Sequence, residues 1–301
     1  MVARQIALLD APSNLGLMPP KPGVEPGVRH GPRVLRTFGL LNRLGAVDAG
    51  EVVPPRYGFE RDASTGVRNP HEIADYSAAL ARAVGKQLDA DRFPLVLGGD
   101  CSILLGTLLA LYRRGRYGLV FLDGHEDLQT PDVSRTGGAA GMDLALAVGI
   151  GPGVLTSLGG DGPLIAAQDV VMLGPRDNPA WYTGVEVERA REAMFVRLFG
   201  DLRAQGMAAT ANAAAARLIA SGVRGIWIHI DVDVLDDAVM PAVDSRQDDG
   251  LTYAELSALL RPILATGRVA GMQLTIYDPD RDVGGDAGAR LVDWLVELLA
   301  R

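Results

Sequence analysis

The chain has 301 residues, 48% of them hydrophobic, and a net charge of -8, enough to bury the core of one large domain or two small ones. The acidic balance, without any basic block, argues against nucleic acid or an anionic membrane as partner and for a small-molecule substrate. No stretch has the ~20 consecutive apolar residues of a membrane span, the apolar run Gln5 to Leu9 is too short for a secretory signal, and the one cysteine, Cys101, has no internal partner, which together point to the cytoplasm.

Short apolar runs alternate with longer amphipathic stretches, the pattern of a parallel sheet covered by helices on both faces. Ile6 to Leu9 reads as the first strand and leads into a Gly/Pro-rich loop, Ala11 to His30, of a length that tends to be functional. Gly31-Pro32 opens a helix through Leu35, Leu40 and Leu41. After an irregular stretch, Asn69-Pro70 caps a helix from Glu72 to Leu88. Strand Phe93 to Leu97 ends in Gly98-Gly99-Asp100-Cys101-Ser102 before a helix from Ile103 to Tyr112; the glycines let the backbone turn sharply. The run Tyr117 to Leu122 is a strand, followed by a polar loop, Leu128 to Gly141, and a helix, Met142 to Val148. Val170 to Leu173 is a buried strand ending in Gly174-Pro-Arg176-Asp177-Asn178, and Glu186 to Ser221 is almost entirely helical, broken near Gly206. Strand Gly225 to Asp231, helix Tyr253 to Leu264, strand Val269 to Ile276 and helix Ala287 to Leu299 close the chain. No repeat, linker or composition shift divides it, so one domain over 1–301 is expected.

Two strand ends carry the chemistry. Side chains two apart on a strand share a face, so Asp123, His125 and Asp127 project together, as do Asp231 and Asp233 with His229 in line behind them. A single Asp-x-Asp would more often be a turn former or helix cap. Two clusters, one containing His, at the carboxyl ends of parallel strands, where ligands bind, point instead to divalent metal, and to more than one ion.

These residues resemble the ureohydrolase family of arginases and agmatinases. The likeness is carried by Gly27-Val28, Gly31-Pro32, Leu35-Arg36, Gly39-Leu40-Leu41, Gly98-Gly99-Asp100, Asp123-Gly-His125-Glu-Asp127 with Thr130-Pro131, Gly141-Met142 and Asp231-Val-Asp233-Val-Leu-Asp236. It implies a three-layer α/β/α fold with a mainly parallel sheet, a homo-oligomer (trimer or hexamer) and two Mn²⁺ ions bridged by a water. Cys101, Asp123, Asp127 and Asp231 would hold the first ion; Asp123, His125, Asp231 and Asp233 would hold the second. Gln129 and Thr136 would reach the far end of the substrate, Asp177 lies on another loop at the same edge, and Asp127 and His229 are the candidates for moving protons.

Three positions depart from the family pattern. Cys101 replaces a histidine ligand, and a thiolate shifts preference toward zinc or iron; the alternative is a buried thiol that binds nothing. Ala140 replaces a histidine thought to shuttle protons. Ile276 replaces the glutamate that pairs with the substrate guanidinium, and an unpaired buried charge costs several kcal/mol. The expectation is therefore a dinuclear hydrolase cleaving a linear C-N bond of an amidino- or guanidino-like compound other than ordinary arginine. Cys101, His229 and the lost shuttle also resemble the N-omega-hydroxy-arginine amidinohydrolase branch, although that branch keeps the glutamate. The rival expectation is a non-catalytic relative kept for metal binding or assembly.

Overall fold

Alternation within each apolar run decides the architecture. In the computed structural model, which describes residues 4–300, Leu8, Leu95, Leu97, Val120 and Leu122 enter one core. Their strand neighbours Leu9, Val96, Leu119 and Phe121 enter another, because successive side chains point to opposite faces. Among the described residues eight strands form one sheet: β1 (Ile6–Ala11), β2 (Val47–Glu51), β3 (Phe93–Gly98), β4 (Gly118–Leu122), β5 (Val170–Leu173), β6 (Phe195–Arg197), β7 (Ile226–Asp231) and β8 (Val269–Thr275). Their order is β2-β1-β3-β8-β7-β4-β5-β6, and each pairing is parallel. The helices Gly31–Thr37, Met207–Ala220, Tyr253–Ala265 and Asp286–Leu299 cover one face, and Pro70–Asp89, Ile103–Tyr112 and Asp143–Ala147 cover the other. The expected three-layer α/β/α arrangement is present, with an all-parallel sheet. The ends of the expected 1–301 span, residues 1–3 and 301, lie outside the described residues.

Sequence patterning misses two strands. Val47–Glu51 is a partly exposed edge strand without an apolar run, made by pairing with β1. Phe195–Arg197 lies inside the stretch expected to be helical; its three residues add to β5 and are too short for any periodicity to register. The early helix breaks at Gly39, φ 78°, giving Gly31–Thr37 and a separate turn, Leu40–Arg43. Asn69 does not cap the helix Pro70–Asp89 with its side chain. Its carboxamide accepts from the Gly58 N–H (2.8 Å) and donates to the Leu15 carbonyl (2.8 Å), tying two loops together. Among the described residues no helix is long and apolar enough to cross a membrane.

Because β3, β8, β7 and β4 are neighbours, their carboxyl ends deliver Cys101, Ile276, Asp231 with Asp233, and Asp123 to one edge. That edge is where open parallel sheets bind ligands.

Candidate metal centre

Register places the acids. Leu122 of β4 pairs with Ile230 of β7, which sets Asp123 beside Asp231. The loop after β4 is pinned by its own carboxylates: the His125 N–H donates to Asp123 Oδ1 (2.7 Å), the Gly124 N–H to Asp233 Oδ1 (3.0 Å), and the Asp233 N–H to Asp231 Oδ1 (2.7 Å). Gly124 is a true close approach, since a Cβ there would stand 2.6 Å from Arg176 Nη1 and 2.9 Å from the Asp233 carbonyl oxygen.

Two donor groups result. Ligand-type atoms of Asp123, His125 and Asp233 lie within 4.8 Å of one another, as do those of Cys101, Asp123 and Asp231. Asp123 belongs to both groups; Asp127 belongs to neither and lines the adjoining cavity. His125 Nδ1 stands 3.0 Å from Asp233 Oδ2 and 3.5 Å from Asp123 Oδ1, while its Nε2 lies 3.0 Å from Ser245 Oγ. The Gln247 amide nitrogen, 2.6 Å from Nε2, can only donate, so the ring carries its proton on Nδ1 toward the carboxylates, and an ion held there would take that proton's place. Cys101 Sγ donates to Asp231 Oδ2 (3.0 Å) and lies 3.0 Å from Thr275 Oγ1.

A different set of groups fixes His229. The indole N–H of Trp227, which can only donate, points at Gln273 Oε1 (3.0 Å), and Thr107 Oγ1 donates to the same oxygen (2.6 Å). The Gln273 amide nitrogen must then face His229 Nδ1, 2.7 Å away. Nδ1 accepts, so the proton of the neutral ring sits on Nε2. Burial holds the ring's pKa down to about 3, which keeps it neutral, and the ring stacks on Phe121 with centroids 4.6 Å apart. His229 therefore presents an N–H, with Asp123 Oδ2 3.9 Å away, and offers a cation no lone pair.

The donor set fits divalent cations. Asp123 Oδ2 is buried without a hydrogen-bond partner among the described residues, and acids crowd around it. Burial and then Asp233 push Asp123 up to about 7. Burial followed by Asp123 raises Asp127 well above the carboxylate range, and burial followed by Asp233 does the same to Asp231. Burial draws His125 down, but Asp233 and Asp123 outweigh it and hold it well above its usual value. Burial raises Asp233 in turn, and His125 outweighs it, leaving Asp233 lowered.

Crowding of this kind makes the stripped protein pH-sensitive. An acid raised from 3.8 to about 7 contributes stability that is complete below about pH 4 and lost as pH rises through about 7. Raised His125, Asp127 and Asp231 act in the same direction and outweigh His229, whose pKa of about 3 makes its contribution grow as pH rises toward 6.5, while lowered Asp233 loses its contribution only in more acid solution. Urea unfolding of chelator-treated protein should show a lower midpoint at about pH 7.5 than at about pH 5, with added Mn²⁺ removing the difference. A stripped protein more stable at the higher pH would contradict this.

A cavity of about 640 Å³ opens onto the centre. Cys101, His125, Asp127, Asp231 and Asp233 line it, with Gln129, Thr136 and Ile276 on its walls. Asp123 and His229 lie fully buried behind it. Asp177 is set back: the hydroxyl of Tyr182, which does line the cavity, donates to its carboxylate. Sequence reading missed Arg135, Asp244, Trp181 and Arg281, which also line the cavity. Arg281 alone had a signal, three residues after Asp278 in the Asp-Pro turn beyond β8. Ile276 has φ 72° and its N–H donates to the Gly99 carbonyl (2.7 Å); a β-branched residue held there costs about 1–3 kcal/mol.

A model of the arginase family matches residues 5–300. The arginase of Staphylococcus aureus (strain COL) is 28% identical over 291 residues, covering 92% of this chain and 90% of that one. The arginase of Brevibacillus brevis is 32% identical over 237 residues, covering 76% and 77%. The solved native structure of arginase from Bacillus caldovelox has a TM-score of 0.87 at 27% identity, covering 99% of each chain.

Proposed function

The chain belongs to the arginase family, hydrolases acting on C-N bonds other than peptide bonds, and from that premise we propose that it cleaves an amidino- or guanidino-like small molecule other than arginine. Asp123, His125, Asp231 and Asp233 would hold one divalent ion, and Cys101, Asp123, Asp127 and Asp231 a second. Carboxylates suit Mn²⁺, whereas the His125 imidazole is equally at home with zinc or iron and the Cys101 thiol favours them on its side. When bound, such ions acidify a water and polarise the trigonal carbon of the substrate.

The protein's own groups do the rest. Asp127 lines the cavity and is the group placed to hand a proton to the leaving amine; the methyl of Ala140, on the same wall, cannot take part. His229 stays behind the acids with its Nε2–H unpartnered among the described residues. Gln129 and Thr136 offer polar contacts toward the outer end of a substrate. The family resemblance also supports a homo-oligomer working in the cytoplasm, and the continuous sheet supports a single domain over 1–301.

The observation that carries the substrate choice is Ile276 on the cavity wall, 3% exposed. A guanidinium buried against its side chain would lack a carboxylate at that position, at a cost of roughly 3 kcal/mol or more. A hydroxyguanidine is much less basic and can enter neutral. The similar proteins bear the name arginase, so the departure from arginine rests on Ile276 and Ala140 of this chain. With metal-loaded protein, kcat/KM for N-omega-hydroxy-arginine should exceed that for arginine by about 100-fold, following from that cost at 1.4 kcal/mol per tenfold. Equal or better hydrolysis of arginine would refute the substrate assignment. Release of neither urea nor hydroxyurea from any amidino compound would refute the reaction.

A further inference from the structure

Asp143 is used by none of the steps above. It begins the short helix Asp143–Ala147, whose remaining residues are Leu and Ala and all buried. The adjacent Leu144 N–H faces the carboxyl outside hydrogen-bonding geometry, so neither oxygen has a partner among the described residues, and the residue is 0% exposed. A carboxyl group so placed satisfies itself neither ionised nor protonated, because the acid O–H would also need an acceptor.

What faces it is the Cys101 side of the metal centre. A carboxylate oxygen of Asp143, Cys101 Sγ and a ring nitrogen of His229 all lie within 4.8 Å of one another. His229 completes the trio in space only, because the Trp227–Gln273 pair keeps its proton on Nε2. The thiol and the carboxylate remain as donors, beside the unpartnered Oδ2 of Asp123.

We propose that Asp143 is a further ligand of the ion on the Cys101 side, so that this ion is held by a thiolate and an additional carboxylate. The inference rests on the two-ion reading above. The thiolate favours zinc or iron at this position, while the additional carboxylate pulls the other way, toward Mn²⁺.

Cobalt(II) titration of stripped protein tests it, since thiolate-to-cobalt charge-transfer absorbance reports Cys101 alone, and elemental analysis counts both ions. Wild type should bind two equivalents and show the band. Asp143→Asn should keep the ion at His125 and bind cobalt at the thiolate side roughly 100-fold more weakly, the upper end of what losing even an outer partner costs; Asp143→Ser should do the same. Metal-free Asp143→Asn should melt no lower than metal-free wild type, because the substitution removes a buried unpaired acid. Wild-type cobalt affinity in both variants would overturn this inference and leave the two-ion reading standing. A metal-free variant that melts well below wild type would make Asp143 a packing residue and overturn it too. Wild type without the band would overturn both.

Discussion

Asp123→Asn is expected to lower kcat/KM on the best substrate by at least about 10,000-fold, because Asp123 would help hold both ions, whose chemistry would be to acidify a water toward neutral pH. Asp123 is the residue common to the two donor groups around His125 and around Cys101 with Asp231, so one substitution weakens both. Asparagine keeps the volume and the oxygen that accepts from the His125 N–H (2.7 Å) while removing the charge. It also relieves repulsion, since Asp123 is among the causes that raise Asp127 and Asp231. The variant should therefore fold, and its stripped form should unfold at the same or higher urea concentration than wild type. A variant retaining more than about a tenth of the activity, within 1.4 kcal/mol of wild type, would mean that Asp123 holds no essential ion.

Ile276→Glu is expected to move substrate preference toward arginine, raising kcat/KM for it by about 100-fold, as a partner is restored to a buried guanidinium. Hydrolysis of N-omega-hydroxy-arginine should change much less, since its neutral group gains little from a carboxylate. Two local facts make the substitution tolerable. The backbone at 276 has φ 72°, which an unbranched side chain adopts with less strain than isoleucine. The main-chain bond to the Gly99 carbonyl (2.7 Å) does not involve the side chain. The readout is the ratio of the two kcat/KM values on one preparation, which is insensitive to the fraction of protein loaded with metal. An unchanged ratio would remove Ile276 from the account of specificity.

The parts of the fold and centre that were legible in the sequence are those written locally. The acids and His125 were legible as a cluster, although His125 lies beyond β4 and Asp233 in a 3-10 turn beyond β7, so turn hydrogen bonds rather than strand alternation aim them; buried runs such as Leu119 to Leu122 declared a sheet covered on both sides. Edge strands were not legible: Val47–Glu51 and Phe195–Arg197 are strands because a neighbour offers hydrogen bonds, and neither carries a pattern of its own. Long-range chemistry was hidden for the same reason. The tautomer of His229 is set by Gln273 and Trp227 through pairing of β7 with β8. Asp143 reads as one acid in an apolar helix until the chain folds it against Cys101. Asp177 sits at the expected edge, yet Tyr182 stands between it and the cavity.

The most direct test of the whole account is the metal content of wild-type protein and Asp123→Asn, each expressed with manganese, zinc and iron supplied, purified and dialysed side by side. The account predicts two ions per wild-type chain and fewer than one in the variant. Equal metal in the two proteins, or none in wild type, would contradict it.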